Sequence, residues 1–311
     1  MDKFQQRHIL GIEHLSASDI EFILDTAESL KSILDRPIKK VPTLRGRTVV
    51  MLFFEPSTRT KLSFDLAAKR LSADSVGITA SASSIVKGET LIDTARNIEA
   101  MKPDVIVMRH PMSGAPHLMA RHVDAAVINA GDGTNEHPSQ ALLDMMTIRE
   151  RKGRIKGLQV AIIGDIAHSR VAKSDIRALV KMGARVRVAG PATMMPRCVE
   201  TLGAEPYLHI EEAIRDADVV MTLRIQRERQ GRGLFPSERE YAARFGINSK
   251  NFSLARDDAL IMHPGPINRG IELTNELADS DRSVILDQVT NGVAVRMALF
   301  SLLLPELRPE T

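Results

Sequence analysis

Tryptophan is missing from the 311 residues, cysteine occurs once, and aromatic residues make up 4% of the chain. Single-stranded nucleic acid is held largely by stacking on aromatic rings, so a base-binding surface is poorly supplied. An excess of one charge is also lacking. Lys plus Arg exceed Asp plus Glu by 42 − 39 = 3, spread along the chain, and nucleic acid is not an expected partner. The single Cys198 cannot form an internal disulfide, and the opening residues lack the apolar core of a secretory signal, so a reducing, cytoplasmic setting is expected. Cys198 has no basic partner in a recognisable nucleophile motif and is expected to pack as a small apolar group. The longest apolar stretch, Val293 to Leu304, is too short for a bilayer and carries Arg296, so it reads as a core helix and no membrane partner is expected.

What is present is an ordinary globular composition, 43% apolar and 26% charged, in a chain long enough for two cores. Short apolar runs recur at Thr48 to Phe54, Val105 to Met108, Ala125 to Asn129, Val160 to Ile163, Val186 to Ala189, Val219 to Leu223 and Ala259 to Met262, with helical patterns between them. Near-continuous hydrophobicity suits strands buried on both faces, which points to an α/β fold of two domains, each a parallel sheet flanked by helices. In such sheets ligands sit beyond the carboxyl ends of the strands, and the cleft between two domains is the expected active site. The polar, glycine-containing stretch Arg149 to Gly157 marks the expected crossing. The domains are taken as 1–150 and 151–290, with a C-terminal helix at 291–311 packing back on the first. Ser16 and Asp19 form a capping-box pattern at the start of a first helix running to about Ile33.

The residues ending each run are rich in positive donors. After Phe53-Phe54 the chain turns at Pro56, and Phe64, Ala67, Ala68 and Leu71 then follow the spacing of a buried helical face. Ser57, Thr58, Arg59 and Thr60 therefore sit at a helix start, where free N–H groups and the dipole attract a phosphate and Arg59 adds a planar fork. An ordinary Ser/Thr cap explains the position equally well.

The full string Phe53-Phe54-Glu55-Pro56-Ser57-Thr58-Arg59-Thr60 resembles the carbamoyl phosphate signature of the aspartate and ornithine carbamoyltransferases. The resemblance continues in the family's order through Val107-Met108-Arg109-His110-Pro111, Asp132-Gly133, Asn135, His137-Pro138 and Gln140, then Gly164-Asp165 and Arg170. It implies that Ser57 to Thr60 hold the phosphate while Arg109, His137 and Gln140 contact the carbamoyl group, with Thr60, Arg109 and His137 facing the carbonyl oxygen. No cofactor, metal or covalent intermediate is implied. It also implies a homotrimer with shared active sites, Ser83 and Lys87 being supplied by a neighbouring subunit. Relatives differ in whether regulatory chains or a dihydroorotase-like partner join the trimer.

The acceptor follows from the second half. Arg224-Ile225-Gln226 resembles the aspartate-binding stretch of the aspartate enzymes, and Arg170 and Arg224 suit a substrate with two carboxylates, with Gln226 as a third contact. Arg229 is a candidate partner for Glu55 or Asp165. His263-Pro264-Gly265-Pro266 takes the form seen in the aspartate enzymes rather than the His-Cys-Leu-Pro of the ornithine enzymes, and Pro264 and Gly265 would present carbonyls to the carbamoyl NH2 and the ammonium. The implied reaction is carbamoyl transfer from carbamoyl phosphate to L-aspartate, early in pyrimidine biosynthesis. Another amino acid as acceptor and a catalytically silent anion-binding scaffold stand as alternatives. The Gly164-Asp165 turn lacks the three spaced glycines of a dinucleotide site, and His110, His117 and His122 match no zinc-ligand spacing.

Overall fold

A computed structural model describes residues 4–79, 89–225, 235 and 237–304. They fall into two compact units: the first takes residues up to Met146 and from Thr290 onward, the second Thr147–Val289. The chain thus passes between units within two helices, α5 (Pro138–Lys152) and α11 (Ile285–Leu303).

Unit 1 opens with α1 (Ala17–Lys31), whose Ser16 and Asp19 cap each other's backbone as the sequence pattern predicts. Strands β1 (Thr48–Phe53), β2 (Asp74–Thr79), β3 (Val105–His110) and β4 (Ala126–Asp132) alternate with helices α2 (Thr58–Arg70), α3 (Leu91–Ala100) and α4 (Ala115–Ala120). All pairings are parallel and the order is β2-β1-β3-β4. Val50, Leu52, Ile106, Met108 and Val127 form one face of its core with Ile98 and Met119. Each such side chain contributes about 1.5–3 kcal/mol by leaving water.

Unit 2 repeats the design. Strands β5 (Gln159–Ile163), β6 (Arg185–Ala189), β7 (Ala204–Tyr207), β8 (Val219–Thr222) and β9 (Leu260–Met262) form a parallel sheet ordered β7-β6-β5-β8-β9. Helices α6 (Arg170–Lys181), α7 (Ile210–Ile214), α8 (Glu238–Phe245), α9 (Ser249–Phe252) and α10 (Asn275–Ala278) accompany it. Ala161, Ile163, Val220 and Ile261 pack with Ile210, Ala213 and Ile214 of α7.

Three sequence expectations change. Strands β2 and β7 are additional, and both lie at sheet edges. Helix α11 begins at Ile285 rather than near Asn291, because Leu286 and Val289 in its first turns face solvent and break the apolar periodicity. Cys198 is exposed instead of packed, since Met194 and Val199 take the buried positions beside it.

The turn after β5 is held very close to the end of β6. Gly164, at φ +132°, donates its N–H to Ala189 at 2.9 Å, and a Cβ on Gly190 would stand 2.1 Å from the Gly164 oxygen. Gly190→Ala is expected to cost about 1–3 kcal/mol by overpacking. A urea midpoint equal to the parent's would show that the two backbones part without strain.

Candidate active site

Both sheets reverse their order of winding once. In unit 1 the chain goes from β1 outward to β2 and then back across to β3, so the β1 and β3 ends flank a switch point where ligands characteristically bind. The two ends are tied together, Phe54 N–H donating to the Arg109 carbonyl at 2.9 Å.

Beyond β1, Ser57 occupies the N-cap of α2, with Thr58, Arg59 and Thr60 in its first turn. Ser57 makes no side-chain cap bond, whereas Thr90 accepts from Asp93 N–H at 3.2 Å and Ser169 from Ala172 N–H at 3.1 Å. The ordinary-cap explanation therefore fails here, and the hydroxyl is not spent on the helix. Thr58 and Arg59 are exposed and Ser57 and Thr60 half-buried, as an anion site open to solute requires.

Beyond β3, Arg109 is fixed by two neighbours: its Nε lies 3.3 Å from the Glu55 carboxylate, and Nη1 donates to the Ala130 carbonyl at 3.2 Å. Glu55 thus pairs with Arg109. The alternative partner, Arg229, lies outside the described residues, as do Ser83, Lys87 and Gln226. His110 follows, its ring 4.5 Å from that of Phe54, and burial lowers its pKa.

The turn leading to His137 is organised by Asp132, whose buried carboxylate accepts from Gly114 N–H at 2.7 Å, Asn129 at 2.8 Å and Glu136 N–H at 3.1 Å. Gly133 donates to the His110 carbonyl at 2.9 Å, and a Cβ there would meet Ser113 Oγ at 2.5 Å. The turn and the β3 end are therefore one assembly. His137, almost fully buried, then starts α5 by accepting from Gln140 N–H at 2.9 Å. Ser57 to Thr60, Arg109, His137 and Gln140 are all placed around the carboxyl end of one sheet. Sequence reasoning missed Glu55 and Asp132 as organisers, although Asp-Gly-x-Asn is a readable Asx-turn pattern.

In unit 2 the switch falls between β5 and β8, bonded where Leu223 N–H meets the Ile163 carbonyl at 2.9 Å. Arg170 begins α6 and is buried, while Arg224, half-buried, follows β8. Asp165, in the turn that leads to Arg170, contacts His168 Nδ1 at 2.8 Å. Past β9, buried His263 receives Gly265 N–H on Nδ1 at 2.7 Å, which leaves Nε2 to donate to Glu272 at 3.3 Å. Glu272 also accepts from Asn268 N–H at 2.7 Å, so one carboxylate pins the loop that holds Pro264 and Gly265. Gly265 has φ +67°, the left-handed region that favours glycine.

A family model for the "Aspartate/ornithine carbamoyltransferase, carbamoyl-P binding domain" matches residues 7–150, and one for the "Asp/Orn binding domain" matches 156–303. The aspartate carbamoyltransferase catalytic subunit of Desulforapulum autotrophicum is 63% identical over 300 residues, 96% of each chain. Among solved structures, the ornithine carbamoyltransferase of Pyrococcus furiosus superposes with a TM-score of 0.88 at 31% identity, over 99% of this chain and 100% of that one. Aspartate transcarbamoylase of Trypanosoma cruzi, solved with carbamoyl phosphate and aspartate, superposes at 0.83 and 32% identity, over 96% of this chain and 95% of that one.

Proposed function

The chain belongs to the aspartate/ornithine carbamoyltransferase family, and from that premise we propose how its own residues carry the reaction. It is an aspartate carbamoyltransferase: the carbamoyl group of carbamoyl phosphate passes to the amine of L-aspartate, giving N-carbamoyl-L-aspartate and phosphate, early in pyrimidine biosynthesis.

Carbamoyl phosphate docks with its phosphate on the α2 start, held by Ser57, Thr58, Arg59 and Thr60. Its carbonyl oxygen takes up negative charge as the amine attacks, and donors already aimed there by Thr60, Arg109 and His137 lower that barrier. Gln140 meets the carbamoyl NH2 together with carbonyls of Pro264 and Gly265. Arg170 and Arg224 grip the two aspartate carboxylates, with Gln226 beside them. The new C–N bond forms as the C–O bond to phosphate breaks, and the departing phosphate oxygen accepts the amine proton. Two anions held in register supply most of the entropy advantage, so no protein nucleophile is needed.

Ser83 and Lys87 reach the site from a neighbouring subunit of a homotrimer, and regulatory chains or a dihydroorotase-like protein are candidate partners. The cytoplasm is the proposed compartment; among the described residues no helix is long and apolar enough to cross a membrane.

The observation that most supports the residue assignments is the 2.9 Å bond joining the β1 and β3 ends, which sets the anion-binding helix start beside Arg109. Incubation with carbamoyl phosphate and either L-aspartate or L-ornithine, with the ureido product quantified, tests the acceptor. Product is expected with aspartate alone. Product with ornithine alone would overturn the roles given to Arg224 and Pro264, and none with either would favour the scaffold reading.

A further inference from the structure

The first turns of α5 contain a hydrogen-bonded pair that the reaction as described does not use. Gln140 Nε2 lies 3.1 and 3.2 Å from the two oxygens of Asp144, four residues along the same helix face. Gln140 is 9% exposed and Asp144 0%. An ionised carboxylate can only accept, so the amide must turn its NH2 toward Asp144, and its oxygen is the atom directed away.

A cation on another helix acts on Asp144. Arg296 of α11 is fully buried, donates to the Gly292 carbonyl at 2.8 Å, and lies 4.8 Å above the Phe64 ring. Burial pushes its pKa down to about 10 against the opposing pull of Asp144, which still leaves the guanidinium charged at neutral pH. Apolar replacements of a buried charge pair are often neutral or stabilising, so stability alone is a weak reason for this one. Phe64 belongs to α2, so the guanidinium whose charge acts on Asp144 also lies against the proposed phosphate-binding helix.

We propose that Asp144 is a positioning residue that locks the Gln140 amide with its oxygen toward the substrate, so that the site selects an acyl phosphate bearing an NH2 donor over one bearing a methyl group. This rests on the reading that Gln140 meets the carbamoyl group. An acceptor held in place rewards carbamoyl phosphate and is left unpaired by acetyl phosphate, whereas an amide free to turn would discriminate little.

The test compares kcat/KM for carbamoyl phosphate at saturating L-aspartate with the inhibition constant of acetyl phosphate, in the parent, Asp144→Asn and Gln140→Leu. Asparagine can donate to the Gln140 oxygen and so permits the amide to reverse. In Asp144→Asn, kcat/KM for carbamoyl phosphate is expected to fall about ten-fold while the acetyl phosphate constant changes by less than about two-fold. A distortion of the site would weaken both ligands together, and that result overturns the proposal. If Asp144→Asn is destabilised by the uncompensated arginine, the double variant Asp144→Asn with Arg296→Met removes both charges and is expected to show the same selective loss. Gln140→Leu separates the two levels. Selective loss there without it in either Asp144 variant refutes the positioning role alone, and no selective loss in Gln140→Leu refutes the contact on which it depends.

Discussion

Arg59→Ala is expected to lower kcat/KM for carbamoyl phosphate by about 10²–10³-fold, the range found when one preorganised charge-stabilising donor is removed. Arg59 stands in the first turn of α2, where the helix dipole already favours an anion, so on the proposed assignment the guanidinium and the backbone N–H groups act on the same phosphate. That phosphate is also the leaving group, and its charge grows as the C–O bond breaks. The loss should therefore appear in kcat as well as in KM. The side chain is exposed, so the thermal midpoint is expected to move by less than about 2 °C. Arg59→Lys should restore only part of the activity, because an ammonium cannot span two phosphate oxygens. A loss in Arg59→Ala smaller than about five-fold, well below the range for a donor of this kind, would place the phosphate elsewhere.

Arg224→Lys is expected to raise the KM for L-aspartate by about 10–100-fold, the equivalent of a charge-assisted hydrogen bond worth about 1.5–3 kcal/mol. The strand end carrying Arg224 is bonded to the strand that leads into Arg170, so the two guanidinium groups belong to neighbouring loops at one switch point. Lysine keeps the charge and loses the fork, which makes the variant a test of bidentate geometry rather than of charge. Steady-state titration of each substrate in turn checks the assignment, with the KM for carbamoyl phosphate remaining within about three-fold of the parent because the lost bond belongs to the other substrate. Equal changes in both constants would mean that Arg224 supports the sheet and does not touch the acceptor.

Of the nine strands among the described residues, seven were legible because their runs are largely apolar on both faces, as in the wholly buried β4. β2 and β7 were not. Both lie at a sheet edge, as β4 and β9 also do, and what sets them apart is Asp74, Gly77, Glu205 and Pro206, which interrupt the apolar run. The candidate donors could be named from the sequence because a helix start is local: Ser57, Thr58, Arg59 and Thr60 follow Pro56 consecutively. Their supports were not, since Glu55 meets Arg109 and Asp132 meets Gly114 only after strands distant in sequence have paired. Gln140 and Asp144 are an intermediate case. Their four-residue spacing is visible in the sequence, but the charge that makes it matter comes from Arg296 on another helix.

Unit 2 is inserted into unit 1, and this has a consequence for synthesis on the ribosome. The sheet of unit 1 can pair as soon as β4 emerges, but Arg296 is translated only after every residue of unit 2. Until then the Arg296 guanidinium, whose charge acts on Asp144, is missing from the back of the pair. The nascent polypeptide therefore carries a phosphate cradle before it carries a fixed amide to judge what the phosphate is attached to. Discrimination is the last property of the site to mature, and it arrives with α11.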